Sequence, residues 1–208
     1  MKIINKNFFF IFDLDGVIFD SKKNMEFAWN LTSKKFNLNV KFSSYFQKIG
    51  LPFLKILQDL NIKPDVKIYN FFIKNSLDKI NKIKPYRGAI KLLKNFEEKG
   101  IKFSIVTSKD YKRSKFLLKK YNIQPVSIHC PNKTLKGKPS PDHLLFCLKK
   151  NKIKKKDAFF VGDTCIDFQA AKRAKISFIF AQYGYGQSKN IYKYKIAKIS
   201  DLKKAVFS

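Results

Sequence analysis

Apolar and polar residues follow one another in blocks along this chain, and the blocks predict a series of strands and helices. The first block is an unbroken apolar run from Phe8 to Phe12, which is typical of a strand buried on both faces in a parallel sheet. Asp13, Asp15 and Gly16 follow at once. Because carboxylates are costly to bury, we expect the strand to end there, at the sheet edge where open α/β folds bind ligands.

The next part of the chain, residues 20–84, spaces its apolar side chains as helices do. Helical patterns cover residues 24–36, 51–60 and 65–83, and no segment between residues 20 and 84 has the clear pattern of a strand. We therefore expect an all-helical block that begins directly after the first strand.

From Pro85 onward, helical and strand patterns alternate. The predicted strands are Ile101–Val106, Val126–His129, Ala158–Val161 and Ser177–Ala181. Such alternation predicts a parallel sheet with right-handed crossovers. The expected fold class is therefore α/β, a doubly wound parallel sheet with an inserted helical domain. Residues 1–19 and 85–208 would form the α/β core, and residues 20–84 the insertion.

Composition fits a globular protein with a large core. Of the 208 residues 45% are apolar, and 22 are phenylalanine. No apolar run approaches the roughly 18 residues that span a bilayer, so we expect a soluble, cytoplasmic protein with no membrane partner. The three cysteines have no CxxC spacing, which favours reduced thiols over a disulfide or zinc framework.

The formal net charge of +29 raises the possibility of a nucleic-acid partner. However, only three of the 44 basic residues are arginine, the residue that proteins prefer for phosphate backbones and base edges. The lysines are spread over almost every segment, which favours a compositional bias over a binding patch. We expect no specific nucleic acid, although a basic nucleic-acid-associated protein without enzymatic activity remains the alternative from a different class.

Polar side chains follow the predicted strands at the points where the strands end. They are Asp13, Asp15, Thr107, Ser108 and Asp163. Lys138 adds a cation in a Gly/Pro loop before a helix. Each residue alone has an ordinary alternative, such as a turn or a helix cap, but together they offer acids, hydroxyls and a cation at one sheet edge. That inventory suits Mg²⁺ and a phosphate group.

Four segments resemble, in order, the four motifs of the haloacid dehalogenase (HAD) superfamily of phosphatases. They are Asp13-Leu14-Asp15-Gly16, Thr107-Ser108, Lys138-Pro139-Ser140-Pro141 and Gly162-Asp163-Thr164-Cys165-Ile166-Asp167. The helical insertion resembles the small cap domain of that superfamily. Within it, Lys48-Ile49-Gly50-Leu51-Pro52 is similar to the cap segment of the phosphoglycolate phosphatase and pyrophosphatase branch.

The resemblance implies a role for each carboxylate. Asp13 would be the nucleophile that forms an aspartyl-phosphate, and Asp15 would be the general acid and then the general base. Mg²⁺ would be held by the Asp13 carboxylate, the Asp15 backbone carbonyl and Asp163. Asp167 would contact a metal-bound water or Lys138 rather than the metal itself.

The remaining motif residues would bind the phosphate. By the same resemblance, Thr107 and Ser108 would hold phosphoryl oxygens. Lys138 would neutralise charge around the nucleophile and the phosphate, as phosphoryl transfer requires.

The resemblance also separates branches of the superfamily. Dehalogenating and phosphonate-cleaving members lack an acid at the position of Asp15, and sugar-phosphate mutases use a histidine where this chain has Met25. His129 is interpreted as a structural histidine and Cys165 as a small apolar filler. We predict a Mg²⁺-dependent phosphatase of a small phosphorylated metabolite, with phosphoglycolate the leading candidate, acting as a monomer or homodimer. Sugar-phosphate mutase and pyrophosphatase activities remain open.

Overall fold

A computed structural model describes residues 8–189 and 191–202. The strands in chain order are β1 (Phe9–Phe12), β2 (Phe19–Asp20), β3 (Lys84–Pro85), β4 (Phe103–Val106), β5 (Ser127–His129), β6 (Ala158–Gly162), β7 (Ser177–Ala181) and β8 (Tyr194–Ile196). Six of them form one parallel sheet in the order β5-β4-β1-β6-β7-β8, while β2 and β3 pair antiparallel with each other.

Helices cover both faces of the parallel sheet. In chain order they are α1 (Lys22–Lys35), α2 (Phe42–Phe46), α3 (Phe53–Asp59), α4 (Val66–Asp78), α5 (Ala89–Glu98), α6 (Tyr111–Lys120), α7 (Asp142–Lys150) and α8 (Cys165–Ala174). Apolar side chains of α5 and α6 pack on one face of the sheet, and those of α7 and α8 pack on the other. This arrangement confirms the predicted doubly wound α/β fold class.

Strand β1 lies in the middle of the sheet and is buried on both faces. Phe10 and Phe12 pack into the cluster under α5 and α6, whereas Phe9 and Ile11 pack into the cluster under α7 and α8. Alternate side chains of a strand point to opposite faces, which explains why this run carries no polar residue. Its carboxyl end therefore opens at the centre of the sheet edge.

Helices α1 to α4 and a 3₁₀ turn at Ile80–Lys82 lie between β2 and β3, and we refer to residues 20–84 as the cap. It has its own aromatic core. Trp29 stacks on Tyr45 with ring centroids 4.4 Å apart, and Phe53 lies 4.7 Å from Phe72. The chain enters the cap through β2 and leaves it through β3.

Several short elements differ from the sequence expectation. Strands β2 and β3 include Asp20 and Lys84, although no strand was predicted between residues 20 and 84. Helix α2 is about one turn long and β8 has only one buried residue, too little for periodicity to detect. The pattern over 65–83 is a helix that ends at Asp78, followed by the 3₁₀ turn.

Within the described ranges, no helix combines the length and the apolar character that crossing a bilayer requires.

Candidate active site

Three neighbouring strands deliver polar side chains to one edge of the sheet. Asp13 follows β1, Thr107 follows β4 and Asp163 follows β6. All three side chains are buried, and all three line one cavity together with Asp15. The carboxyl ends of parallel strands meet at the same edge, so the topology alone brings these residues together.

The backbone around Asp163 is crowded, and two glycines make the crowding possible. Gly16 has a φ of +83°, and a Cβ there would lie 2.0 Å from Asp163 Oδ2. A Cβ on Gly184 would lie 2.3 Å from the Cβ of Asp163. Glycine is therefore required at both positions, because any side chain would displace the Asp163 carboxylate.

Lys138 supplies a buried cation beside the first strand. Its Nζ lies 3.0 Å from Asp13 Oδ1 and 2.6 Å from Asp167 Oδ1. Burial alone would lower the pKa of Lys138, but the two carboxylates outweigh burial and raise it above its usual range. Lys138 therefore remains protonated and offsets the charge of Asp13.

Asp167 is fully occupied by contacts within the protein. Its Oδ1 accepts from Lys138, and its Oδ2 accepts from the Thr164 backbone N–H at 3.1 Å and from Thr164 Oγ1 at 2.6 Å. With the Thr164 side chain accepting from the Asp167 N–H, these contacts form the capping box of α8. Asp167 thus anchors both Lys138 and the amino end of α8.

Asp13 and Asp163 differ from Asp167 because each keeps an unsatisfied oxygen. Among the described residues, neither Asp13 Oδ1 nor Asp163 Oδ1 accepts a hydrogen bond; the Lys138 contact to Asp13 is an ion pair without hydrogen-bond alignment. Burial, first of all, raises the pKa of both carboxyls; neighbouring carboxylates reinforce this effect, and Lys138 opposes it. Carboxyl oxygens of Asp13 and Asp163 lie within 4.8 Å of each other, and such a buried pair of acids fits a hard divalent cation, which would relieve the repulsion and the cost of burial.

The Asp15 carboxylate is held by Lys109. Lys109 Nζ lies 2.9 Å from each Asp15 oxygen, and the Lys109 side chain is 1% exposed. Burial lowers the pKa of Lys109, and the charge of Asp15 opposes this effect. The sequence did not single out Lys109, since it is one lysine among many; its one signal is that it directly follows Thr107-Ser108.

The two predicted phosphate-binding hydroxyls have different partners. Thr107 Oγ1 accepts from the Lys109 backbone N–H at 3.2 Å. Ser108 Oγ donates to the backbone carbonyl of Gly50, in the cap, at 2.6 Å. Both residues line the cavity, but the Ser108 hydroxyl also ties the sheet edge to the cap.

The cap closes the other side of the cavity, which has a volume of about 50 Å³. The cap residues that line it are apolar or aromatic: Met25, Tyr45, Ile49, Gly50, Leu51, Phe53, Ile56, Tyr69 and Phe72. Arg113, from the first turn of α6, is buried and lines the same cavity. Sequence reasoning missed Arg113 and Tyr45; Arg113 could have been suspected because arginine is rare in this chain.

Other residues considered from the sequence lie elsewhere or play no polar role. His129 bonds to Ser127 Oγ at 3.0 Å within β5 and does not line the cavity. The interpretation of Cys165 as a small apolar filler was wrong, because its thiol is exposed at the start of α8 and fills no packed space. Met25 does line the cavity, as an apolar wall residue.

Known proteins resemble this chain over almost its whole length. A family model described as haloacid dehalogenase-like hydrolase matches residues 10–181. The phosphoglycolate phosphatase of Aquifex aeolicus is 29% identical over 203 residues, which are 93% of this chain and 94% of that protein. The phosphoglycolate phosphatase of one Haemophilus influenzae strain is 25% identical over 84% of this chain and 85% of its own length. A hydrolase structure from Pseudomonas syringae superimposes with a TM-score of 0.83 at 22% identity, covering 95% of this chain and 96% of that one.

Proposed function

The chain belongs to the haloacid dehalogenase-like hydrolase family, and from that premise we propose that it hydrolyses a small phosphate monoester through an aspartyl-phosphate on Asp13. The family and the relatives named phosphoglycolate phosphatase support phosphoric monoester hydrolysis. The observation that carries the mechanism is the pairing of charges at the sheet edge. Asp13 lies beside Lys138, and Asp15 is gripped by Lys109 in the same cavity.

In the first step, an Asp13 carboxylate oxygen attacks phosphorus and the bond from phosphorus to the ester oxygen breaks. The electron pair goes to the leaving oxygen, which takes a proton from Asp15. In the second step, water attacks the same phosphorus while Asp15 takes its proton. The bond from phosphorus to Asp13 then breaks, which restores the carboxylate and releases inorganic phosphate.

Lys138 and Lys109 have different electrostatic roles. Lys138 stays protonated beside Asp13 and lowers the repulsion between this carboxylate and an approaching phosphate. Lys109 fixes the position of Asp15 by contacting both of its oxygens. When Asp15 is protonated and acts as the acid, the proton lies on one of its two oxygens and replaces the Lys109 contact there. The contact between Lys109 and the other oxygen keeps Asp15 in place.

Mg²⁺ would be held by the unsatisfied oxygens of Asp13 and Asp163 together with the backbone carbonyl of Asp15, and would shield negative charge during attack. Asp167 would contribute through Lys138 rather than as a ligand, because both of its oxygens are already used. Thr107 and Ser108 would hold the phosphoryl oxygens, and Ser108 would exchange its bond to Gly50 for one to the phosphate.

Phosphoglycolate is the leading substrate. Two relatives that carry this name match 84% or more of this chain and of their own length. The cavity of about 50 Å³ has room for only a few water-sized groups. We further propose that residues 1–19 and 85–208 act as a catalytic core and that residues 20–84 act as a cap, which opens to admit the ester and closes over it.

The test is a phosphate-release screen over small phosphorylated metabolites with Mg²⁺ and with excess chelator. We expect hydrolysis that requires the metal, with 2-phosphoglycolate among the best substrates. A parallel reaction with β-glucose 1-phosphate and catalytic glucose 1,6-bisphosphate separates hydrolase from mutase. Glucose 6-phosphate formed without phosphate release would show a mutase, and no release from any ester would refute the proposed function.

A further inference from the structure

We infer that Arg113 and Tyr45 form a second anion-binding subsite in the cavity, which receives a carboxylate on the alcohol part of the substrate. The inference rests on the proposed phosphatase function and names its substrate class. That class is small phosphorylated hydroxy acids, in which one end is the phosphate and the other a carboxylate.

Arg113 is held rigidly where the core meets the cap. Its Nε donates to Asp110 Oδ2 and its Nη1 donates to Ser76 Oγ of α4 at 2.8 Å. The guanidinium carbon lies 5.4 Å from the centre of the Phe72 ring. An arginine fixed in this way binds an anion without losing further side-chain freedom.

Donors remain on Arg113 for a ligand. A guanidinium has five N–H donors, and in the described part of the chain Nη2 has no acceptor. Arg113 as a whole is buried. Its Nη2 atom, however, is not one of the fully enclosed side-chain atoms without a hydrogen-bond partner. Because Arg113 lines the cavity, its unused edge is available to a carboxylate, which matches the planar fork of arginine.

The other cations at the site are already committed. Lys109 contacts both oxygens of Asp15, and Lys138 contacts Asp13 and Asp167. Most of the remaining cap lining is apolar, where an unpaired carboxylate would be costly. A second negative charge on the substrate is therefore best accommodated at Arg113.

Tyr45 supplies a neutral donor next to Arg113. Its ring stacks on Trp29 and the residue is 3% exposed. Burial, above all, raises the pKa of Tyr45, while the charges of Arg113 and Asp15 act on it in opposite directions. Tyr45 and Arg113 both lie against the Phe72 ring, with Tyr45 at 5.8 Å and the guanidinium carbon at 5.4 Å from it, and both line the cavity. In the described residues the Tyr45 hydroxyl has no hydrogen-bond partner, so it is free to donate to a ligand.

The experiment compares 2-phosphoglycolate with 2-hydroxyethyl phosphate, which replaces the carboxylate with a neutral hydroxymethyl group. Wild-type protein should prefer phosphoglycolate in kcat/KM by about 10- to 100-fold, as expected for a hydrogen-bonded charge. Arg113→Met keeps the stem against Phe72 and should erase most of this preference, mainly through KM. Its loss on 2-hydroxyethyl phosphate, which has no carboxylate to bind, should be at least tenfold smaller than its loss on 2-phosphoglycolate.

Two further variants separate substrate recognition from structural support. Ser76→Ala removes the cap partner of Arg113 Nη1 but leaves the guanidinium, so the substrate preference should survive. Tyr45→Phe keeps the stacked ring and should lower the preference by about two- to tenfold. If Arg113→Met does not fold in a thermal melt, Tyr45→Phe still decides, because a preference unchanged in that variant overturns the subsite.

The results distinguish a failure of the proposed subsite from a failure of the proposed phosphatase function. Equal wild-type activity on both esters, or equal losses on both in Arg113→Met, would overturn the subsite and leave the phosphatase intact. No phosphate release from either ester or from p-nitrophenyl phosphate would overturn the proposed function itself.

Discussion

The cavity has two walls that are built on different physical terms. The core wall carries charged side chains from the segments that follow β1, β4 and β6, among them Asp13, Asp163 and the pair of Asp15 with Lys109, and Lys138 pairs with Asp13 from a loop behind this wall. The cap wall consists of packed aromatic and aliphatic side chains. Chemistry requires particular residue types at particular points, whereas a wall that determines specificity can be formed by ordinary core residues.

The largest effect on activity should come from a substitution of Asp13, in the core wall. Asp13→Asn removes the nucleophile and should lower kcat by about 10⁴-fold or more, while the neutral isostere keeps the packing. Phosphate release and a thermal melt measure the two consequences. Mass spectrometry of a rapidly quenched wild-type reaction should locate the phosphoryl group on Asp13. An active, folded Asp13→Asn protein would refute the mechanism.

The second prediction concerns the positioning of Asp15 by Lys109. Lys109→Met should lower kcat by about 100-fold for alkyl phosphates, with little change in KM. The loss should be smaller for p-nitrophenyl phosphate, because its leaving group needs less help from a proton donor. Lys109→Arg should recover part of the activity.

Lys112→Met, at an exposed lysine of α6 three residues after Lys109, is the matched control and should leave activity unchanged. Equal losses for alkyl and nitrophenyl esters in Lys109→Met would mean that Lys109 supports only the structure.

The third prediction tests the hydrogen bond between Ser108 of the core and Gly50 of the cap. Ser108→Ala removes the donor to Gly50 and should lower kcat/KM by about two- to tenfold. If Ser108 also holds phosphoryl oxygens, the inhibition constant for inorganic phosphate should rise by a similar factor. Ser43→Ala, at an exposed serine of α2, provides the control. A normal inhibition constant would limit Ser108 to contacting the cap.

The smallest effect on activity should come from a substitution of His129, in strand β5. The pKa of His129 is lowered to about 4, first by burial and then by Lys150 and His143. As pH falls from about 6.5 to 4, the unfolded chain therefore takes up this proton before the folded protein does. The free energy of unfolding should decrease over that window.

His129→Asn should make the decrease shallower, measured by urea unfolding at pH 7 and pH 5. Its kcat/KM at pH 7 should stay within about twofold of wild type. Burial also lowers the pKa of His143. The part of the pH dependence of unfolding that comes from His143 should therefore remain in the variant. An unchanged pH dependence in the variant would assign the effect to other groups.

The sequence predicted the core wall better than the cap wall, for reasons visible in particular residues. Asp13 and Asp163 stand out because each interrupts a strongly apolar segment, so the strand ends and their shared edge follow from pattern alone. Met25 has the same helical spacing whether it packs inside the cap or lines its cavity, and Tyr45 lies in α2, which is too short to show a spacing at all. No pattern in a single chain distinguishes the two cases.

Lys109 and Arg113 were missed for another reason. Their roles depend on contacts with Asp15, 94 positions away, and Ser76, 37 positions away. Pairings over such distances in the chain are fixed by the tertiary fold, and lysine is too common here for one more to attract notice.

The central position of β1 also determines the order in which the protein can assemble on the ribosome. Phe10 lies opposite Phe103 in β4 and Phe159 in β6, so the last neighbour of β1 is made roughly 150 residues later. At about 5–20 residues per second, that delay is roughly 7–30 s. The cap, whose core residues lie mostly between Met25 and Phe72, and the pairing of β1 with β4 can form during this time, while the other edge of β1 lacks its partner. Asp13 thus reaches its final surroundings only after β6 has been made.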